Sequence, residues 1–387
     1  MLVACQRDAT LRVLETHVLS CSAAAPYEVV LADTVLYPEG GGQPPDQGSI
    51  AGVRVTDVQR RQGQVIHHTT GPVPLGPARV EVDWVRRRDH MQQHTGQHLL
   101  SAVAMDLYGW PTTAFHLAPG VTARCDIELD TAPPDPGALV ALEEAVNARI
   151  REALPVHHRV VPRDTVPEAV RSRGLPDDVR DVRLVEIDGV DLNTCGGTHV
   201  ANTAEIQALA LLGTERMRGG CRLYFVAGDR VLALLRRRGD RAAELTRLLS
   251  TGPEGHTEAV DKLKADAKAS RNAARALTTE IAAHLGRQLA ATSGPVAVHR
   301  RPGSDIPHLN AIAKAALEHR PELLVLLAGD LRSGPFLLAG PPDAVNAAKP
   351  HLLEGLQARG GGAPGRVQGK SQHLDRLEEV AATLHTP

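Results

Sequence analysis

Aromatic residues make up only 2% of the 387-residue chain, a scarcity that argues against the base-stacking platforms on which single-strand binders rely. Cysteines are five, odd in number and scattered, so they form no disulfide framework and imply a reducing, cytosolic protein. No apolar run approaches the roughly 18 residues needed to span a bilayer. Residues 1–8 lack the basic start and sustained apolar core of a secretory signal. Charge of one sign is lacking too: 43 Lys plus Arg stand against 45 Asp plus Glu, a net of −2, so the chain as a whole is no polycation. Lysine is absent before Lys262, which leaves every upstream basic contact to arginine. What is present is ordinary for a globular protein, 42% hydrophobic and 23% charged residues, which excludes disorder and fibrous repeats as the main state. The length suits two or three domains.

Residues 1–86 alternate short β-branched stretches with Pro and Gly punctuation, as at 27–31, 49–58 and 78–84, and predict a small β-barrel. Asp89 is positioned to cap a helix that runs to Tyr108 and stops at Gly109. Pro133-Pro134-Asp135-Pro136 introduces a second helix, with Leu142, Val146, Ile150 and Ala153 on one face. Strand-like segments at 183–187, 206–212 and 223–226 complete a mixed region over 87–229. From 230 to 292 the composition turns to Ala, Leu, Arg, Glu and Lys, with a break at 251–255. This predicts a helical hairpin, a candidate dimer contact, with an irregular seam through Leu263, Ala267, Ala274, Leu277, Ile281 and Leu285. Residues 293–387 read as a small α/β domain. The expected fold class is α+β. Two runs, Arg86-Arg87-Arg88 and Arg236-Arg237-Arg238, read most simply as solvated helix ends.

Three motifs carry chemistry. His90, His94 and His98 recur every four residues on the first predicted helix, so neighbours stack on one face and two can share a metal ion. Asn193-Thr194-Cys195-Gly196-Gly197-Thr198-His199 offers thiolate and imidazole, the ligands zinc prefers, on a loop whose glycines allow a tight fold. Together they suggest one shared zinc site, although spacing alone does not choose among the three helical histidines. The third motif, Tyr37-Pro38-Glu39-Gly40-Gly41-Gly42-Gln43, allows close backbone approach to a ligand. A fourth is a decoy. Gly369-Lys370-Ser371 mimics the end of a phosphate-binding P-loop, but the glycine required five residues earlier is Pro364, so ATP binding is not expected.

In this order the three motifs resemble the alanyl-tRNA editing proteins (AlaX) and the editing domain of alanyl-tRNA synthetase. Matching residues are Leu36–Gln43, His94-Thr95-Gly96-Gln97-His98, Cys195-Gly196-Gly197-Thr198-His199 and the strand-like run 218–225. The resemblance covers about residues 1–240. A helical segment followed by an α/β domain ending in the glycine-rich run 360–369 extends it to the synthetase's DHH-associated C-terminal domain, which makes this a long form. The resemblance implies a zinc-binding editing domain with His94, His98, Cys195 and His199 as ligands and His90 outside the set. It places His94, His98, Cys195 and Gln43 at the catalytic centre, and Gly40, Gly41, Gly42, Gln43, Asp46 and Arg218 around the substrate.

The implied activity is hydrolysis of the ester in tRNA(Ala) mischarged with serine or glycine, because a pocket built for alanine discriminates weakly against both. Zinc would polarise the ester, acidify a water or hold the amino group. Four protein ligands would close the tetrahedron, whereas catalytic zinc usually keeps a position open. tRNA binding is expected from the C-terminal domain and from Arg86–Arg88 and Arg218, with a possible homodimer through the helical and C-terminal regions. With the chain beginning at editing-type strands, no aminoacylation is expected. Rival readings are a tRNA-binding module with a purely structural zinc, a zinc hydrolase of small esters, and threonyl-type editing.

Overall fold

The computed structural model describes residues 2–171 and 180–384, which divide into two compact units, Met1–Glu244 and Leu245–Pro387. The first opens with a single helical turn, α1 (Ala4–Arg7), and six strands: β1 (Val13–Cys21), β2 (Tyr27–Leu31), β3 (Gly48–Ile50), β4 (Val53–Arg61), β5 (Gln64–Thr69) and β6 (Gly76–Val82). They close into a barrel in the order β1-β2-β5-β4-β3-β6, around buried Val18, Val29, Leu36, Ile50, Val55, Val58 and Val80. The sequence suggests one strand over 49–58; the structure breaks it at Ala51 and Gly52, both at positive φ (49° and 80°). A two-residue turn of that hand matches strand twist, but alanine hides it from a sequence reader.

Helix α2 (Trp84–Tyr108) follows without a loop. Its cap is Asp83, whose carboxylate accepts from the Arg86 N–H, and Gly109 ends it in the left-handed conformation. Asp89 is therefore no cap. It lies in the second turn and holds the guanidinium of fully buried Arg230 through two contacts of 2.7 Å. β7 (Thr112–His116), β8 (Cys125–Leu129), α3 (Pro136–Arg151), β9 (Val156–Pro162), β10 (Asp181–Ile187), β11 (Asp191–Thr194), β12 (Leu209–Met217) and β13 (Gly220–Ala227) complete the body of this unit. The strands form two antiparallel sheets, β12-β13-β8-β7 and β11-β10-β9. Leu99, Leu100 and Val103 of α2 meet Leu142, Val146 and Ile150 of α3 over Ile127, Leu223 and Phe225. Ala153 falls just beyond α3, at φ 55°.

The basic run at the start of α2 is not a solvated helix end throughout. Arg87 is fully buried and pairs with fully buried Asp46, while donating to the carbonyls of Ala9 and Val35. Asp46 also accepts from the Tyr37 N–H at 2.7 Å. This pair locks the barrel to α2, and it leaves neither side chain exposed at a surface. Asp46→Ala strands a buried guanidinium and is expected to cost about 3–5 kcal/mol of stability. Arg88→Ala, which breaks the exposed pair with Asp229, costs below about 1 kcal/mol. Thermal unfolding of the two variants checks the contrast; equal midpoints would refute it.

Helix α4 (Asp229–Leu249) runs across the division between the units and α5 (His256–Ala290) follows a single 3₁₀ turn at Pro253–Gly255. In the second unit α5 packs on α6 (Ile306–His319) through Ala282 and Leu289, whereas Leu263 and Leu277 of the expected seam stand 58% and 59% exposed. β14 (Val296–Arg300), β15 (Leu324–Ala328), β16 (Gly334–Ala339), β17 (Arg359–Gly361) and β18 (Arg366–Ser371) form one mixed sheet, ordered β14-β15-β16-β18-β17. Val325 and Leu327 face α6; Leu324 and Leu326 face α7 (Pro342–Gly355) and α8 (Leu377–Thr383). Covered on both faces, β15 reads as an unbroken apolar run. Gly369-Lys370-Ser371 sits inside β18, paired with β16, so the decoy motif is strand and no phosphate loop. Among the described residues no helix is long and apolar enough to cross a membrane.

Candidate metal centre and its cavity

One turn apart on α2, His94 and His98 face the loop that follows β11. Arg183 of β10 shapes that loop, donating to the carbonyls of Cys195 (2.8 Å) and Gly197 (3.0 Å). The result brings His94, His98, Cys195 and His199 together, with one candidate ligand atom from each lying within 4.8 Å of all the others. The Cys195 Sγ is 3.4 Å from His94 Nε2 and 3.3 Å from His199 Nε2. Gly197 is what permits this packing: a Cβ there would fall 2.2 Å from His94 Cε1.

Each histidine is held from behind. His94 Nδ1 meets Gln43 Oε1 at 2.8 Å, His98 Nδ1 meets Asp191 Oδ2 at 2.9 Å, and His199 Nδ1 meets Thr95 Oγ at 3.2 Å. The Gln43 amide is unambiguous, because the same oxygen accepts the Thr198 N–H (3.0 Å) while Nε2 donates to Thr198 Oγ (2.9 Å). An amide oxygen and a carboxylate can only accept, so His94 and His98 carry protons on Nδ1 and turn Nε2 to the centre. Outer partners of this kind fix the tautomers of metal-binding histidines.

Electrostatics agree with a cation site. Burial would raise the Cys195 thiol, but the His94 and His199 rings outweigh it and hold it well below its usual range. Burial lowers His199 to about 3, leaving a neutral ring. Burial also opposes charge on His98, yet Asp191 and Cys195 raise it to about 10, so a metal bound there would have to displace a proton from that ring. A thiolate among imidazoles, with outer partners in place, is a donor set that fits a borderline-soft divalent metal. The remaining helical histidine, His90, is fully buried with neither ring nitrogen bonded, and burial lowers it to about 3. It packs as a neutral ring inside the fold, away from any mouth.

His94, His98 and Cys195 of the cluster form the floor of a cavity of about 670 Å³, walled by α2, β7 and the glycine-rich loop, while His199 lies outside its lining. Gly40 and Gln43 exchange backbone hydrogen bonds of 3.2 and 3.0 Å, with Gly41 and Gly42 at the tip at positive φ (58° and 81°). A Cβ on Gly42 would lie 2.7 Å from the Phe115 carbonyl, so the loop packs directly on β7. Gly41 and Gly42 line the cavity; Gly40 closes the hairpin behind them. Gln43, expected to touch substrate, instead lies fully buried behind His94. Asp46 is bound to Arg87, and Arg218 sits on the β12–β13 turn outside the cavity lining. Arg87 is sealed from any phosphate; Arg86 donates to the Pro45 carbonyl and Arg88 pairs with Asp229.

Sequence reasoning missed Asp191, Thr95 and Arg183. Their signal was weak but real: polar residues inside or beside the motifs, at positions the fold buries.

The family described as "Threonyl and Alanyl tRNA synthetase second additional domain" matches residues 182–224. Over 402 residues the chain is 41% identical to the alanyl-tRNA editing protein Aarsd1 of Rattus norvegicus, covering 98% of this chain and 96% of that one. It is 40% identical over 402 residues to Aarsd1-A of Xenopus laevis, with the same coverage. An alanine–tRNA ligase from Natronomonas pharaonis is 31% identical over 375 residues, 92% of this chain but 40% of the ligase.

Proposed function

The chain belongs to the alanyl-tRNA editing protein family, and on that footing we propose that it is an editing deacylase that hydrolyses the ester of tRNA(Ala) mischarged with serine or glycine. The observation that carries the reading is the four-residue donor cluster, of which His94, His98 and Cys195 line a cavity of about 670 Å³, within the usual range for a small-molecule site. We assign the metal as Zn²⁺, held by His94, His98, Cys195 and His199. Bound there, zinc would supply Lewis acidity to an ester carbonyl, a water or the substrate's amino group.

The remaining roles belong to the chain. Gln43, Asp191 and Thr95 fix the rings that face the centre. The bare Gly41–Gly42 backbone lets the aminoacyl ester and terminal ribose approach and offers N–H donors to them. Walls built by β7 and α2 limit water around the ester.

Incubating the zinc-loaded protein with Ser-tRNA(Ala), Gly-tRNA(Ala) and Ala-tRNA(Ala) tests the proposal. Serine or glycine is expected to be released while alanine stays attached, and alanine, ATP and uncharged tRNA are expected to yield no Ala-tRNA(Ala). Survival of both mischarged species would overturn it. Retention of the tRNA in that case would favour a binding module, a reading supported by the closed four-donor set.

A further inference from the structure

Beyond the centre, the cavity wall holds a polar group that the cluster does not use. Ser101 of α2 receives a hydrogen bond from Gln97 Nε2 (2.9 Å) and another from Thr112 Oγ of β7 (2.7 Å), and all three residues line the cavity. Around them α2 is apolar, with Leu99, Leu100 and Val103 buried. Three polar side chains converging on one wall of such a helix require an explanation.

Resting on the deacylase reading, we propose that Ser101, oriented by Gln97 and Thr112, is the subsite that recognises the side-chain hydroxyl of a misattached serine. Ser101 follows His98 by three residues, a rise of about 4.5 Å on the same face. Between an ester carbonyl at the floor and the serine hydroxyl lie three bent bonds of about 1.5 Å, and a hydrogen bond adds about 2.8 Å. That reach spans the rise. With two bonds accepted at Oγ, the Ser101 O–H is the donor left for the substrate, and the Gln97 carbonyl can accept the substrate's own proton.

The arrangement also sorts the three amino acids. Serine completes the network. Glycine leaves room for a water that completes it instead. Alanine places a methyl group against it and replaces no hydrogen bond, which is the costly case.

The test compares kcat/KM on Ser-, Gly- and Ala-tRNA(Ala) for the zinc-loaded full chain, Ser101→Ala and Thr112→Val. In Ser101→Ala, serine release is expected to fall about ten- to hundredfold, glycine release to change less than about threefold, and alanine sparing to weaken. Thr112→Val moves in the same direction by a smaller factor, and serves if Ser101→Ala does not fold. Equal losses on serine and glycine in the variants, at unchanged zinc content, would overturn the subsite and leave the deacylase reading intact. A wild-type protein inactive on both would overturn the two together.

Discussion

Replacing Cys195 by alanine is expected to strip the protein of stoichiometric zinc and to abolish most deacylation. Cys195 carries the only thiolate in the cluster, and the His94 and His199 rings stabilise that charge. Without it the three imidazoles meet with no anionic donor among them. Outer-partner changes at metal sites cost about 10–100-fold, so loss of a ligand should exceed that, on the order of 10²–10³-fold in metal affinity. Asp191→Asn, which weakens the support of His98, belongs in the lower range. Zinc content after dialysis and single-turnover deacylation give the comparison. Full zinc and full activity in Cys195→Ala would mean that the histidines alone make the site.

The second large effect sits next door and turns on two adjacent glycines that look equivalent. A Cβ on Gly197 would lie 2.2 Å from His94 Cε1, 2.4 Å from His94 Nδ1 and 2.9 Å from Gln43 Oε1. A methyl group must therefore push His94 off its Gln43 bond, and the loop cannot retreat while Arg183 holds the Gly197 carbonyl. Gly197→Ala should lose deacylation about 10²-fold, with an overpacking cost of about 1–3 kcal/mol. On Gly196 the same Cβ meets its nearest neighbour, Gln6 Nε2, at an ordinary 3.5 Å, so Gly196→Ala should stay within about threefold of the parent. Equal behaviour of the two variants would show that the crowding at His94 does not matter.

That contrast marks how far the sequence could be read. The four-residue recurrence of His90, His94 and His98 and the Cys195–His199 loop already suggest one site, because helical periodicity and ligand chemistry are local properties, whereas the choice of His94 and His98 comes from the family resemblance. Which glycine mattered was not local, since Gly197 is constrained by a helix about a hundred residues earlier. Gln43 shows the same limit. Its place in a glycine-rich loop suggested substrate contact, whereas the fold spends both ends of its amide on His94 and Thr198. Charge misled in the opposite direction. Arg87 looks like a surface residue in the sequence and is neutralised in the interior by Asp46, a partner 41 positions away. The long helices were visible apart from the true start of α2, but β1, β5, β7, β8, β9 and β11 were not read from the sequence, and the Ala51–Gly52 turn passed as strand. Of the expected α5 seam, neighbours within the second unit bury only the C-terminal end, around Ala282 and Leu289, and leave Leu263 and Leu277 exposed.

The ring behind the metal ligands has a kinetic consequence. Gln43 reaches across 51 residues to His94 and 155 to Thr198, and His98 reaches across 93 to Asp191. Loops of that length close at an entropic cost that local elements do not bear, and contacts so distant in sequence slow folding. The barrel, α2 and the Cys195 loop must each be in place before four donors can converge, so metal capture should come late. An ion bound there would stabilise only the finished assembly, by mass action, and would make one unfolding event of what would otherwise be the separate loosening of three distant stretches of chain.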